Sequence, residues 1–337
     1  MNKVTIKEVA KRAGVSVATV SRALNPATQK LVKPQTVRKI KEVARALNYL
    51  PHRAASSLRK KQTQTIGLLN FGHSIFSGYV SEIVKGIFTG LEEIGYDLKL
   101  ISGQEFYSLG AILDNAGVDG IITTHAYKKA FPNLENEIAN QKGKTFPVIV
   151  VNDFNPKWKI NQIYVDSYKA STKLIEHLLK RGFRNFYLIG GEPESNDAQA
   201  RKIAFLKIIK KHKIPFSEER IYNGHFSEEG GYTCAKQILN KDRKFRGVFY
   251  CLNDAMAIGA LRAIGEFKLR CPEDIKVVGF DGIPETEFTN PPLTTMKFPL
   301  FEMGYYASQL IYKIIQGKIK RPIKKEFQAE LVIRKSC

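Results

Sequence analysis

Four side chains near the start of a short amphipathic stretch have the chemistry that reads the edges of DNA bases. Arg22 can donate two hydrogen bonds to O6 and N7 of one guanine, and Val17 and Ala18 can contact a thymine methyl group. Ser21 lies between them along the chain and can bond to a base edge as well. Arg22 alone could equally be a solvated helix residue, so the interpretation depends on the elements that position it.

Those elements have the pattern of a helix-turn-helix. Thr5 and Glu8 have the spacing of a capping box, Gly14 supplies a turn, and Ser16 can cap a second helix that runs to about Leu24. The predicted inner faces are Ile6, Val9, Ala10 and Ala13 on the first helix, Val17, Val20, Ala23 and Leu24 on the second, and Val37, Ile40, Val43, Ala44 and Leu47 on a third from Pro34 to Leu47. The second helix of this motif enters the major groove, so the pattern predicts DNA binding.

The charge supports this interpretation, because it is concentrated in the same part of the chain. The 337 residues carry 53 Lys and Arg against 32 Asp and Glu, a net charge of +21. Residues 1–61 hold 15 of the basic residues and two acidic ones, which is typical of a polyanion-binding segment. A second basic run is interpreted as a solvated face without a function: Lys318, Lys320, Arg321, Lys324 and Lys325.

Composition excludes several other classes. With 43% hydrophobic and 25% charged residues the chain can bury a core, and it contains no apolar run long enough to span a membrane. The start of the chain lacks the pattern of a secretory signal, so we expect a cytoplasmic protein. The four cysteines are far apart, which favours reduced thiols over a disulfide framework or a metal site. No cofactor is expected.

Beyond residue 64 short apolar runs alternate with amphipathic stretches, which predicts parallel sheets flanked by helices. Nine strands over about 270 residues favour two doubly wound α/β lobes with a ligand cleft between them. The predicted strands are 65–69, 97–101, 120–123, 148–151, 162–165, 185–189, 247–251, 276–279 and 294–298. The predicted boundaries divide the chain into a DNA-binding domain (1–50), a short helix and linker (51–64) and a two-lobed body (65–337).

The sequence resembles the lac repressor/galactose repressor family of bacterial transcription regulators along essentially its whole length. Six segments in order carry this resemblance: residues 4–25, 47–53, 117–122, 253–260, 278–281 and 291–295. The resemblance implies a DNA-binding transcription regulator, a repressor, whose body is like a periplasmic sugar-binding protein. It also implies a homodimer on a near-palindromic DNA operator, controlled by a small-molecule effector.

For DNA binding, the resemblance implies that short hinge helices pair in the minor groove and that Leu58 wedges into the central base step. Leu58 could instead pack on the body. We expect Leu58→Ala to weaken specific binding far more than non-specific binding. The predicted DNA-binding residues are Thr5, Ser16, Val17, Ala18, Thr19, Ser21, Arg22, Asn25, Arg53 and Leu58.

For the effector, a cleft between lobes needs groups that bond to hydroxyls and an aromatic face that stacks on a ring. The predicted effector-binding residues are Phe71, His73, Phe76, Asn152, Arg201, Phe226, Asn253 and Asp281. Asp281 would accept from hydroxyls and Arg201 would donate in a fork. Asp254 is predicted to be a first-turn helix residue instead, while Phe71 and Phe76 could be core aromatics.

Three positions depart from the pattern of the family. Asn152 and His225 stand where sugar-binding relatives often carry an acid, and Ala204 replaces a common glycine. The first two changes remove negative charge, so Arg201 is predicted to be less neutralised. The sequence therefore predicts an acidic or phosphorylated sugar derivative as readily as a neutral sugar for the effector.

Other classes remain as alternatives. The effector could be a purine or a protein co-repressor, and the body alone would suit a solute-binding protein without regulation. The chain has no GxGxxG, P-loop, GxSxG or HExxH motif, which argues against an enzyme. The residues leave open whether the effector induces or co-represses, and whether the protein is a dimer or a tetramer.

Overall fold

The computed structural model describes residues 4–25, 28–49, 62–70, 77–102, 117–124 and 146–337. Its first part is a three-helix head made of α1 (Ile6–Ala13), α2 (Val17–Leu24) and α3 (Pro34–Ala46), with a short 3₁₀ turn at Gln29–Leu31. Its small core consists of Val9, Ala10, Ala13, Val20, Ala23, Ile40, Ala44 and Tyr49. The structure thereby confirms the three predicted helices.

The turn between α1 and α2 determines how the two helices meet. Gly14 has a φ of 67°, in the left-handed region that favours glycine, and it caps the end of α1. Ser16 then starts α2 by accepting the backbone N–H of Thr19 at 3.1 Å. The prediction that Val17 faces inward was wrong. Its side chain is 40% exposed, because it is the first residue of α2 and lies on the outer side.

The first lobe of the body contains a six-stranded sheet of parallel strands. Its strands are β1 (Thr65–Asn70), β2 (Asp97–Ser102), β3 (Gly120–Thr123), β4 (Val148–Val151), β5 (Asn161–Val165) and β11 (Lys324–Phe327), in the spatial order β11-β5-β4-β3-β1-β2. Helices α4 (Gly78–Ile94) and α9 (Leu300–Ile315) pack closely together on this lobe. Gly86 permits this approach, since a Cβ there would lie 2.0 Å from the Phe301 carbonyl oxygen.

The second lobe has the same architecture with one antiparallel edge strand. Its strands are β6 (Phe186–Gly190), β7 (Ile221–Asn223), β8 (Gly247–Cys251), β9 (Ile275–Asp281), β10 (Thr294–Lys297) and β12 (Glu330–Val332), in the order β12-β10-β9-β8-β6-β7. Its helices are α5 (Ser167–Lys180), α6 (Asn196–Lys211), α7 (Glu228–Lys241) and α8 (Asp254–Glu266). Aromatic side chains such as Phe205, Phe249 and Tyr250 fill its core.

The chain passes between the lobes three times. It leaves the first lobe after β5, returns after β10 into α9 and β11, and ends in the second lobe with β12. Each lobe is therefore completed by residues distant in sequence. The predicted α/β class with two lobes is confirmed, and all nine predicted strands are present with ends shifted by at most two residues.

Three strands were missed by the sequence prediction: β7, β11 and β12. Each has three or four residues, lies at the edge of its sheet and pairs with one neighbour. An edge strand needs no continuous apolar run, and β11 begins with two lysines. The prediction of a purely solvated basic face at Lys324 and Lys325 was therefore incomplete, since both residues belong to the sheet.

Candidate nucleic-acid interface and ligand cleft

The outer face of α2 presents the predicted base-reading side chains to solvent. Ala18, Ser21 and Arg22 are exposed, and Val17 lies beside them. Within the described part of the chain, the Arg22 side chain makes no hydrogen bond or ion pair. Its guanidinium is therefore available for a guanine edge.

The other predicted contacts of the head stabilise the ends of helices. The Ser16 hydroxyl lies 2.9 Å from that of Thr19, and the Thr5 hydroxyl donates to the Glu8 carboxylate at 3.0 Å. The Thr5 backbone N–H also donates to this carboxylate, and these bonds lower the pKa of Glu8. Asn25 ends α2. These residues shape the surface that surrounds Arg22.

Several predicted site residues lie outside the described residues. They are Arg53 and Leu58 in the segment that follows the head, and Phe71, His73 and Phe76 after β1. Their predicted roles stay predictions.

A cleft lies between the two lobes. It forms at the carboxyl ends of parallel strands, where open α/β sheets bind ligands. The first lobe contributes Ser77, Gly78, Tyr79, Val80, Asn152 and Asp153. The second lobe contributes Ser195, Asp197, Arg201, Phe226, Glu228, Asn253, Ala255, Asp281 and Ile283. The structure thus brings together all five predicted effector-binding residues that it describes.

Arg201 is the centre of the cleft's second-lobe wall and is 3% exposed. It extends from α6, and its Nη2 lies 3.3 Å from the Asp281 carboxylate. Its Nε donates to the Ser167 hydroxyl at 3.3 Å, and its Nη1 donates to the Leu252 carbonyl. The guanidinium also stacks on Phe280 and Phe298, with distances of 5.0 and 5.1 Å to the ring centroids.

Two buried carboxylates beside Arg201 have raised pKa values. Burial raises the pKa of Asp281 to about 6, although the charge of Arg201 opposes the rise. Burial likewise raises the pKa of Asp197 to about 7; Arg201 lowers it, and the charge of Asp153 raises it further. Burial penalises the ionised form of a carboxyl group, so both pKa values lie closer to neutral pH than that of an exposed aspartate. Such perturbed pairs are common in functional sites.

The first lobe meets this wall through polar contacts. The Asn196 side chain, at the start of α6, donates to the Asp153 carboxylate at 2.7 Å and so bridges the two lobes. Asn152 donates to the Tyr79 hydroxyl at 2.8 Å. The pKa of Tyr79 is raised well above its usual value by burial and by the charges of Asp281 and Asp197. The cleft is therefore a network in which both lobes take part.

Phe226 and Asn253 are positioned by each other. The Phe226 ring packs over Gly191, where a Cβ would lie 2.1 Å from the ring. Asn253 donates to the Phe226 carbonyl at 3.0 Å, while its side-chain oxygen accepts the Met256 backbone N–H and caps α8. The main contribution of Asn253 in this structure is thus to hold the aromatic face in place.

Asp254 is the first residue of α8, as predicted, and is fully buried. Its carboxylate accepts the backbone N–H groups of Gly282 and Ile283 and the Thr295 hydroxyl. Burial and the charge of Asp281 raise its pKa well above the usual value. Asp254 therefore anchors the loop that directly follows Asp281 at the end of β9.

The prediction that Arg201 is poorly neutralised was wrong. It assumed that Asn152 and His225 leave the cleft short of acids. Asp281 is paired with Arg201, and Asp197 and Asp153 lie close enough to influence each other's charge. His225 is exposed and paired with Glu192 at 3.0 Å.

The sequence prediction missed ten of the residues that line the cleft, among them the polar side chains of Tyr79, Asp153, Ser195 and Asp197. Asp197 had a local signal, because it precedes Arg201 by four positions and so shares its helix face. Asp153 directly follows Asn152. Tyr79 had no local signal, since only the folding of the first lobe brings α4 to the cleft.

The described residues form no helix that is long and apolar enough to cross a membrane. They contain no cluster of three or more His, Cys, Asp or Glu side chains that could hold a metal ion.

A helix-turn-helix head and a two-lobed body with an interlobe cleft together define a ligand-responsive DNA-binding regulator. Comparison with known proteins agrees. Residues 5–52 match the family described as bacterial regulatory proteins, lacI family, and residues 175–337 match the periplasmic binding protein-like domain. The chain belongs to the lacI family of bacterial transcription regulators.

Relatives along the full length support this membership. The HTH-type transcriptional repressor PurR of Pasteurella multocida (strain Pm70) is 33% identical over 98% of each chain. The probable HTH-type transcriptional repressor ExuR of Bacillus subtilis (strain 168) is 31% identical over 99% of this chain and 98% of its own. A crystal structure of the lac repressor dimer bound to operator and the anti-inducer ONPF has a TM-score of 0.78, 27% identity and 99% coverage of both chains.

Proposed function

We propose that this protein is a dimeric transcriptional repressor whose affinity for a near-palindromic operator changes when a small molecule binds between its lobes. The observation that carries this proposal is that one chain combines an exposed Arg22 on α2, which has no partner among the described residues, with a polar cleft lined by both lobes. Regulation is proposed over catalysis, because the full-length relatives are repressors.

The predicted DNA-binding residues divide into two groups under this proposal. Arg22, Val17, Ala18 and Ser21 would read base edges, because they are exposed on the outer face of α2. Residues at helix ends would position the head on phosphates, because backbone N–H groups at helix N-termini attract anions. Those residues are Thr5, Ser16 and Thr19. Asn25, at the C-terminal end of α2, is proposed to contact phosphate through its side-chain amide instead.

The first lobe offers a route from the cleft to the head. The chain from the head enters β1 through Thr63 and Gln64, and the Asp119 carboxylate accepts both of their backbone N–H groups at 2.7 and 2.8 Å. The entering segment is therefore fixed to the first lobe. Any change in lobe closure around the Asn196–Asp153 bridge would move this segment with the lobe.

The cleft best suits an uncharged ligand with several hydroxyl groups. Its described lining carries four acidic side chains, namely Asp153, Asp197, Asp281 and Glu228, against the single cation Arg201. Carboxylates accept hydrogen bonds from hydroxyls but repel an anionic group in a partly desolvated site. Phe226 adds a ring face for stacking on an apolar side of a sugar.

A purine is the second candidate ligand. The observation that favours it is the name of the 33% identical relative, the repressor PurR. The same groups could serve a base, since Phe226 can stack on it and Asp281 can accept from ring N–H groups.

Homodimer formation is supported by exposed apolar side chains of the first lobe. Phe88 on α4 is 56% exposed and Leu100 on the edge strand β2 is 52% exposed. The similar lac repressor structure is a dimer. A dimer would present two copies of α2 to two half-sites.

The test begins with in-vitro selection from a random duplex library at about 0.15 M salt, because affinity for DNA depends steeply on salt. A near-palindrome with two equal half-sites is expected. Its affinity is then measured with neutral sugars, sugar phosphates and purines, using Arg201→Met as a cleft control. A ligand that changes operator affinity in the wild type but not in Arg201→Met supports the proposal. Enrichment of no sequence, with and without these ligands, would contradict it.

A further inference from the structure

A second basic surface lies on the first lobe, far from α2 in sequence. We call it the basic edge: Lys157, Lys159, Lys318, Lys320, Arg321, Lys324 and Lys325, all of which are exposed. The segment 316–325 contains five of these cations and no acid. Within the described part of the chain, none of these five forms an ion pair.

The two segments of the basic edge are held together by the sheet. Lys324 pairs with Gln162 in the β11–β5 register, and Ile323 accepts the Gln162 backbone N–H at 2.8 Å. The Lys324 ammonium donates to the Pro156 carbonyl at 2.7 Å. The loop with Lys157 and Lys159 therefore lies against the start of β11, and the charges form one patch.

The topology places this patch on the side of the lobe that the head joins. Parallel strands begin at the same edge of a sheet, so the starts of β5 and β11 share an edge with the start of β1. The head enters the lobe at the start of β1. Four strand spacings separate β11 from β1, a distance of about 19 Å.

DNA held by the head is within reach of this edge. Twelve residues lie between Tyr49 and Gln62. The head therefore lies within about 45 Å of the start of β1, the length of a fully extended segment of that size. Ten base pairs of flanking duplex extend about 34 Å, which exceeds the width from β1 to β11. The basic edge has the charge that a phosphate backbone requires.

We propose that the basic edge is a second DNA-contacting surface, which binds the phosphates of the duplex that flanks the operator. It reads no sequence, because ammonium and guanidinium contacts to phosphate position a protein without specifying bases. It adds affinity on long DNA and makes binding more sensitive to salt. This inference rests on the proposed DNA binding by the head.

The sequence provides a natural reporter at this site. Trp158 is the single tryptophan of the chain and lies between Lys157 and Lys159. It is half-buried, and its carbonyl accepts from the Gln162 side chain at 3.3 Å. Phosphates that bind the neighbouring lysines would change its surroundings and hence its emission.

The test compares two duplexes that carry the selected operator, one of 16 and one of 40 base pairs. The variant replaces Lys318, Lys320, Arg321 and Lys325 by Gln, and leaves Lys324 in place because of its bond to Pro156. The matched control replaces four exposed second-lobe residues by Gln: Lys173, Lys180, Lys210 and Lys211. Both variants change the net charge equally.

We expect the variant to bind the 16-base-pair duplex as the wild type does, and to lose the additional affinity for the 40-base-pair duplex. Each lost phosphate contact lowers the slope of log K against log salt by about 0.9 on the long duplex. Trp158 emission changes only with the long duplex. Equal losses in variant and control, or full affinity of the variant for the long duplex, would overturn the inference and leave the proposed function intact. Failure of the wild type to bind either duplex would overturn both.

Discussion

Helix α2 and the interlobe cleft present their functional side chains in opposite ways. Arg22 on α2 is exposed and has no partner in the described part of the chain, whereas Arg201 in the cleft is buried and bonded to Asp281, Ser167 and Leu252. The side chains on the outer face of α2 are therefore free to contact DNA. Those of the cleft already bond to one another, and a ligand must fit among these contacts. Substitutions on the exposed face of α2 should therefore change DNA binding alone, while those in the cleft should change stability as well.

The strongest test of this contrast is Arg201→Met. Removal of one partner from a buried ion pair leaves an unpaired carboxylate and costs about 3–5 kcal/mol. We expect the free energy of unfolding to fall by that amount in urea titrations. The matched control is Arg270→Met, because Arg270 pairs with Asp274 but its side chain is 75% exposed; its loss should cost less than about 1 kcal/mol. Equal losses would contradict the contrast.

Arg22→Ala tests the exposed face of α2. A bidentate contact to guanine contributes about 1–3 kcal/mol at each half-site, so operator affinity should fall while the unfolding transition stays unchanged. Binding to random DNA should fall much less. Lys39→Ala on α3 is the comparison, because Lys39 is an exposed lysine of the head that we expect to contact phosphate. Loss of such a contact weakens binding to all sequences about equally. A uniform loss with Arg22→Ala would show that this residue contacts phosphate.

Asp197→Asn tests the cost of the buried acids. Because the folded pKa of Asp197, about 7, exceeds the unfolded value of about 3.9, the folded state binds its proton more tightly. Wild-type stability should therefore fall as the pH rises from about 4 to about 7, and this penalty remains at higher pH. The substitution removes it, so the gain in unfolding free energy at pH 8 should exceed that at pH 5 by about 2–3 kcal/mol, which corresponds to about two pKa units. Thermal melts without ligand measure this difference, and a gain independent of pH would refute it.

The smallest effect is expected for the loss of a helix-capping hydrogen bond, which can be compared between the head and the cleft. Ser16 caps α2 and Ser195 caps α6, with similar distances to the capped N–H groups. Replacement by Ala should cost about 1 kcal/mol in each case, and replacement by Gly only a few tenths. Ser16→Ala should weaken DNA binding, and Ser195→Ala should weaken the response to ligand. If either variant impaired both activities equally, the two regions would not be separable.

Prediction from sequence succeeded where local patterns are sufficient. The ends of α1 and α2 follow from Thr5, Gly14 and Ser16, because caps and turns depend on neighbours within four residues. The buried strands followed from short apolar runs. Val17 was wrongly placed inside, because an apolar residue at the first position of a helix has no neighbouring turn to fix its direction.

The cleft was predicted less completely. Arg201, Asp281 and Phe226 were identified by resemblance, but the pairing of Arg201 with Asp281 joins residues 80 positions apart. Tyr79 reaches the cleft from α4 and responds to charges on the second lobe. Such contacts depend on how two sheets meet, and no local pattern encodes that arrangement.

The sequence by itself determined the three-helix head, its excess of positive charge, the alternation of strands and helices, and the family. These properties arise from capping, periodicity and composition, which act over short distances along the chain. Only the tertiary structure decided that Arg201 is neutralised by Asp281, that α9 and β11 complete the first lobe, and that the basic edge lies on the same edge of the sheet as the entry of the head. Charge balance and the shared edge of a sheet depend on residues far apart in sequence, so they exist only once the chain has folded.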